Sequence, residues 1–212
     1  MDLTFSHSTS IRQMVAAERG DLVALLKTLS FDEWEMPSLC EGWRVRDVVA
    51  HLCYDSVPPA KYLAAFARNG FSGRRLNNEL IDRARDLTPT ELIGTLTSTI
   101  GRGTSTVLAP TVALSDTFVH QQDIRRPLGR PRTIPTDRLL TILNHPDPFA
   151  SSRHRTRDLR FVATDAPWSR GHGPEVRGPG EAICLAVMGR PAALDQLEGK
   201  GLQAFREQFT AN

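Results

Sequence analysis

Cysteine is scarce in this sequence. Cys40, Cys53 and Cys184 are the only three among 212 residues, and no two lie close together. An odd, scattered set excludes a disulfide framework and points to a reducing compartment, so a cytoplasmic protein is expected. Long apolar runs are missing too: nothing approaches the roughly 18 uninterrupted residues of a spanning helix. The opening MDLTFSHSTSIRQM has no basic stretch followed by an apolar one, which leaves no readable secretory signal. Charge of one sign is also lacking. Lys and Arg number 26 against 24 Asp and Glu, a net +2 that is too small to draw a nucleic acid or another polyanion. No internal repeat and no low-complexity tract stands out.

What is present suits a soluble globular chain, with 40% hydrophobic residues to build a core without cross-links. The text from about residue 8 to residue 126 reads as helices. Ser10 is placed to cap a first helix in which Ile11, Met14, Val15, Leu22, Leu25, Leu26 and Leu29 keep helical spacing across Gly20. After a turn-rich SFDEWEMPSLCEGW comes VRDVVAHL, where Val45, Val48, Val49 and Leu52 form one apolar stripe. Further helices are expected over 59–68, 75–86, 89–101, 111–126 and 136–144, with Thr88-Pro89 as cap and first residue of the third. Short connections between such helices make a bundle the natural architecture. The last third changes character. LRFVATD and PEVRG read as strands around Gly171-His172-Gly173, and GEAICLAVM as a helix opened by Pro179. A helical domain over 1–146 and a small α+β domain over 147–212 are therefore expected.

Three polar residues on one helix carry the chemistry. Asp116, His120 and Asp123 fall within a sector about 60° wide, and Asp116 and His120 stand one turn apart, so an oxygen and an imidazole nitrogen can reach one cation. The same spacing also fits a surface pair. His51 lies about 110° from the centre of the Val45/Val48/Val49/Leu52 stripe. It reads as a boundary histidine bonded to Asp47 or Asp55, and becomes a ligand candidate only if a partner helix brings Asp116 and His120 to that flank.

The segment Trp34-Glu35-Met36-Pro37-Ser38-Leu39-Cys40-Glu41-Gly42-Trp43-Arg44-Val45-Arg46-Asp47-Val48-Val49-Ala50-His51-Leu52 resembles the opening signature of the actinobacterial mycothiol-dependent maleylpyruvate isomerase family, within the DinB-like superfamily. Asp116 through Gly129, with its Asp-Thr-Phe-Val-His-Gln-Gln-Asp start, resembles that family's second signature, and Gly178 through Leu194 its C-terminal region. The resemblance implies a DinB-like four-helix bundle with a small C-terminal α+β unit. It also implies a divalent metal, zinc in first place, held by His51, Asp116 and His120, with mycothiol as the thiol cosubstrate. Asp116 stands where many relatives have glutamate or histidine. Arg44 replaces the usual Ser or Thr cap, a loss of about 1 kcal/mol. Asp123 is expected to orient His120, or else to pair with Arg126 or Arg44.

The implied activity is a mycothiol-using S-transferase or isomerase acting on a small electrophile, from a monomer or homodimer with no nucleic-acid or membrane partner. The alternatives are a hydrolase on the same three residues and a non-catalytic metal-binding stress protein. Other features carry less. Cys40 reads as a turn residue, and Cys53 and Cys184 as core. Trp34 and Trp43 anchor the Pro37–Gly42 turn, and one of them is a candidate for the pocket mouth. His145, His154 and His172 lie in loops and are expected to face solvent. The Arg153-His154-Arg155-Thr156-Arg157 run reads as a solvated turn.

Overall fold

The computed structural model describes residues 3–150 and 152–209, and gives 3–10 and 149 by backbone alone. Helix α1 (Leu3–Leu26) begins upstream of Ser10, which therefore lies inside the helix rather than at its cap. Nothing there stops a helix, since the first glycine is Gly20 and the first proline Pro37. Helix α2 (Phe31–Glu35) starts with a reciprocal cap, in which Glu33 N donates to Ser30 Oγ and Ser30 N donates to the Glu33 carboxylate. Helix α3 (Val45–Leu52) follows, then a 3-10 turn over Cys53–Ser56. Next come α4 (Pro59–Arg68), α5 (Gly73–Arg83), α6 (Pro89–Ser98), α7 (Thr104–Leu108) and α8 (Pro110–Arg125).

Helices α1, α8, α3 and α6 touch in a closed ring, each packing on two of the others, and this is the four-helix bundle. Its core is the stripe read from the sequence. Leu22, Leu26, Val45, Val48, Val49, Leu52, Leu92 and Leu96 are all buried, and Trp34 packs among them rather than at a pocket mouth. The missing Ser/Thr cap on α3 is replaced from inside the helix. Asp47 Oδ2 accepts from Arg44 N at 2.9 Å and from Arg44 Nε at 3.0 Å, so the carboxylate of the first turn satisfies the backbone donor.

Contacts divide the chain into two compact units, Met1–Pro131 and Arg132–Asn212. The division falls earlier than the 146/147 break expected from the sequence. Helix α9 (Thr136–Asn144) packs on α11 (Gly180–Val187) and so groups with the second unit. Between them lie α10 (Ser152–Arg155) and the strands β1 (Arg160–Ala163), β2 (Ser169–Gly171) and β3 (Glu175–Gly178), and α12 (Leu202–Glu207) comes last. The sheet order is β2-β1-β3, with β1 antiparallel to β2 and parallel to β3. Strand β2 was not expected, because its exposed Ser-Arg-Gly carries no apolar alternation. Gly171 and Gly173 have positive φ, and a Cβ on either would meet the backbone oxygen of Leu159 or Asp158 at 2.2 Å. Only glycine lets the chain pass so close to the start of β1.

Candidate metal centre

The site lies in the first unit, where α3 faces α8. On α3 the four apolar residues of the stripe point into the bundle, which leaves His51 on the flank, 7% exposed. On α8, Thr117, Phe118 and Ile124 are buried on other faces, while Asp116, His120 and Asp123 share one side. The helical periods that bury the apolar residues thus bring the three polar ones to α3.

His120 Nε2 stands 3.4 Å from Asp116 Oδ1, and His51 Nε2 stands 3.7 Å from the same oxygen. One donor atom from each residue lies within 4.8 Å of the others. The two imidazole rings meet edge to face at 4.8 Å. Asp116 Oδ2 is buried with no hydrogen-bond partner among the described residues, an arrangement that a folded chain seldom leaves unless something else fills the place. The two carboxylates weighed as His51's partners are engaged elsewhere: Asp47 with Arg44, and Asp55 with Arg19 at 2.7 Å.

Burial alone would raise the Asp116 carboxyl, yet hydrogen bonds with His120 and His51, and their charge, hold it well below the ordinary carboxylate range. Burial likewise works against charge on His120, but bonds to Asp116, Asp123 and Cys40 raise it well above the usual imidazole value. Asp123, fully buried, accepts from His120 Nδ1 at 2.9 Å. That bond places a ring proton on Nδ1 and leaves Nε2 facing Asp116 and His51. Asp123 is thus in contact with the His120 nitrogen that faces away from Asp116. Arg44, one alternative partner for it, is committed to Asp47 and Glu35.

Cys40, read from the sequence as a turn residue, Trp43, a candidate there for the pocket mouth, and Tyr54 and Tyr62, which the sequence did not single out, complete the surroundings. Cys40 Sγ reaches Asp123 Oδ2 at 3.1 Å. Trp43 lies 5.3 Å from the His51 ring and 6.3 Å from the His120 ring, the latter nearly parallel at 25°. Tyr54 lies 5.5 Å beyond His51, and Tyr62 5.9 Å beyond Tyr54. Burial, then the charge of Asp116, raises both phenols. Trp43 flanks Gly42, whose φ of +76° makes the turn, and Tyr54 follows His51 by three residues. Trp43 is legible from the sequence as a candidate for the pocket mouth, whereas Tyr54 points to no site without the fold. His145, His154 and His172 are exposed in the second unit. No disulfide joins the cysteines among the described residues, and Cys53 and Cys184 lie in the core as expected.

Residues 15–104 match the family model of the mycothiol maleylpyruvate isomerase N-terminal domain, a span that holds Cys40 and His51 and ends before α8. Two solved structures are similar over nearly the whole chain. A crystal structure of a histidine-to-alanine variant of the mycothiol-dependent maleylpyruvate isomerase shares the fold at TM-score 0.63 and 15% identity, covering 91% of this chain and 92% of that one. A crystal structure of the mycothiol-dependent maleylpyruvate isomerase gives TM-score 0.58 and 14% identity with the same coverage. None of the curated proteins compared with the chain matches it. Residues 15–104 thus resemble the mycothiol maleylpyruvate isomerase N-terminal domain, and the chain as a whole shares the helical fold of the two solved structures.

Proposed function

We propose that the chain is a metal-dependent enzyme that uses mycothiol to transfer to, or isomerise, a small electrophilic substrate. The observation that carries this reading is the meeting of His51, Asp116 and His120 across two helices, with Asp116 Oδ2 buried and unpartnered among the described residues. Two neutral nitrogens and one carboxylate suit zinc, and three protein ligands leave a coordination position open, as in catalytic rather than structural sites. The family-model match over residues 15–104 and the mycothiol dependence of the isomerase in the two similar structures support mycothiol as the cosubstrate.

In this reading His51 and His120 present Nε2, and Asp116 supplies the negative charge. Asp123 keeps the His120 proton on Nδ1, and the Trp43 ring screens both imidazoles from water. A bound divalent metal would lower the pKa of a coordinated thiol and make it a nucleophile at neutral pH. Three cysteines without a disulfide among the described residues fit a reducing, cytoplasmic setting. No helix among the described residues is long and apolar enough to cross a membrane.

Two measurements test the reading. Protein purified without added ions should carry zinc in near-equal molar amount, and His51→Ala and His120→Ala should lose it. Equally low metal in all three would sink the site. The zinc-loaded protein, incubated with mycothiol and a panel of electrophiles that includes maleylpyruvate, should give metal-dependent thiol adducts or isomers. Products of water attack alone would favour a hydrolase, and metal without turnover a binding protein.

A further inference from the structure

We infer that Cys40 is a positioning residue for this centre, acting on His120 through Asp123. The inference rests on the reading of His51, Asp116 and His120 as ligands. Cys40 Sγ donates to Asp123 Oδ2 at 3.1 Å, the same oxygen that accepts from His120 Nδ1 at 2.9 Å, and Sγ stands 3.6 Å from Nδ1 itself. One carboxylate oxygen thus gathers a thiol and an imidazole N–H. Asp123 is fully buried, so the direction of its carboxylate is set by protein donors and not by bulk water.

The turn that carries Cys40 is tied to α8 and closed upon itself. Leu39 N donates to Asp123 O at 3.0 Å. Ser38 Oγ accepts from Cys40 N at 3.1 Å and donates to Trp43 O at 2.8 Å. The turn therefore holds the His120 ring from two directions. Its thiol works at the ring edge, through Asp123, and its Trp43 indole lies over the ring face. An imidazole is free to rotate about its side-chain bonds unless its second nitrogen is held, and pinning Nδ1 fixes the aim of Nε2. A thiol is a weak donor, so it steadies the carboxylate while leaving its charge largely to the His120 N–H.

Zinc affinity of the full chain, measured by competition with a chromophoric chelator, tests this together with the absorption spectrum of the cobalt-loaded protein. Cys40→Ala should bind zinc about three- to tenfold more weakly, below the roughly 10- to 100-fold loss expected of Asp123→Asn, which touches the ligand directly. Cys40→Val keeps bulk but no donor and should follow the alanine variant, and it carries the comparison if Cys40→Ala does not fold. Cys40→Ser restores a donor and should stay within about twofold of wild type. The cobalt d–d bands should shift in the alanine and valine variants and not in the serine variant.

Unchanged affinity and spectra in the alanine and valine variants would make Cys40 a packing residue and overturn the inference alone. So would a sulfur-to-cobalt charge-transfer band in wild type that is lost in Cys40→Ser, because Cys40 would then be a ligand. A wild-type chain that takes up neither ion overturns the ligand reading and this inference together.

Discussion

Two buried polar clusters lie in the same bundle, and they are built in opposite ways. Around Arg19 and Asp55 every reach is closed. Arg19 Nη2 meets Asp55 Oδ2 at 2.7 Å, Nη1 donates to Thr99 O at 3.0 Å, and Nε points to Thr117 Oγ1 at 3.5 Å. Asp55 in turn accepts from Ser105 N and from Thr106 Oγ1, the latter at 3.2 Å. Around Asp116 the separations are 3.4 and 3.7 Å, and one carboxylate oxygen has no partner among the described residues. A closed cluster fastens α7 to the bundle. An open one, with donor atoms converging on a common point, has the form of a site that waits for a ligand.

The largest effect should come from breaking the closed cluster. Arg19→Met leaves Asp55 buried without its cation and should cost about 3–5 kcal/mol of stability in urea unfolding. A loss below 1 kcal/mol would erase the contrast between the clusters. Gly103→Ala presses on the same place, since its Cβ would come within 1.6 Å of Asp55 Oδ2. It should cost about 1–3 kcal/mol by the same measurement, because Asp55 is pinned and yields little room.

The open cluster should answer to pH instead. Its bonds to Asp116, Asp123 and Cys40 raise His120 well above 6.5 against the cost of burial, so the metal-free ring holds a proton at neutral pH. Asp116, kept below 3.8 by the same histidines, stays ionised there. Zinc must displace the His120 proton. Below the ring's raised value, zinc affinity should therefore climb about tenfold per pH unit, with one proton released in calorimetry across two buffers. An affinity flat in pH would contradict the proton's place. The metal-free chain has the opposite sign. Stability contributed by the charged ring is complete below 6.5 and is lost as pH rises through the raised value. The smallest effect on stability sharpens the comparison: Asp116→Asn should cost the metal-free chain about 1–2 kcal/mol in urea unfolding, less than Arg19→Met because its contacts are longer, while abolishing tight zinc binding.

Much of the fold was legible. Helices over 59–68 and 136–144 match α4 and α9 to the residue, because prolines and turn residues bound them and apolar spacing fills them. Strand β2 was not, since three exposed residues held by backbone pairing leave no pattern of burial to read. Within the site, Asp116 and His120 were legible as neighbours on one helix, but His51 joined them only through the resemblance. Cys40 was set aside because its partner, Asp123, is 83 residues away.

By itself the sequence determined the helices, their buried stripes, the one-turn spacing of Asp116 and His120, and a thiol chemistry without disulfides. These follow from local periodicity, which hydrogen bonding within a helix and the burial of one face impose wherever the chain lies. The tertiary structure alone decided which polar residues close upon one another and which stay open. It set Arg19 against Asp55 and Cys40 against Asp123, and it left Asp116 between two imidazoles. Such pairings depend on how the bundle packs, so no spacing along the chain could have announced them.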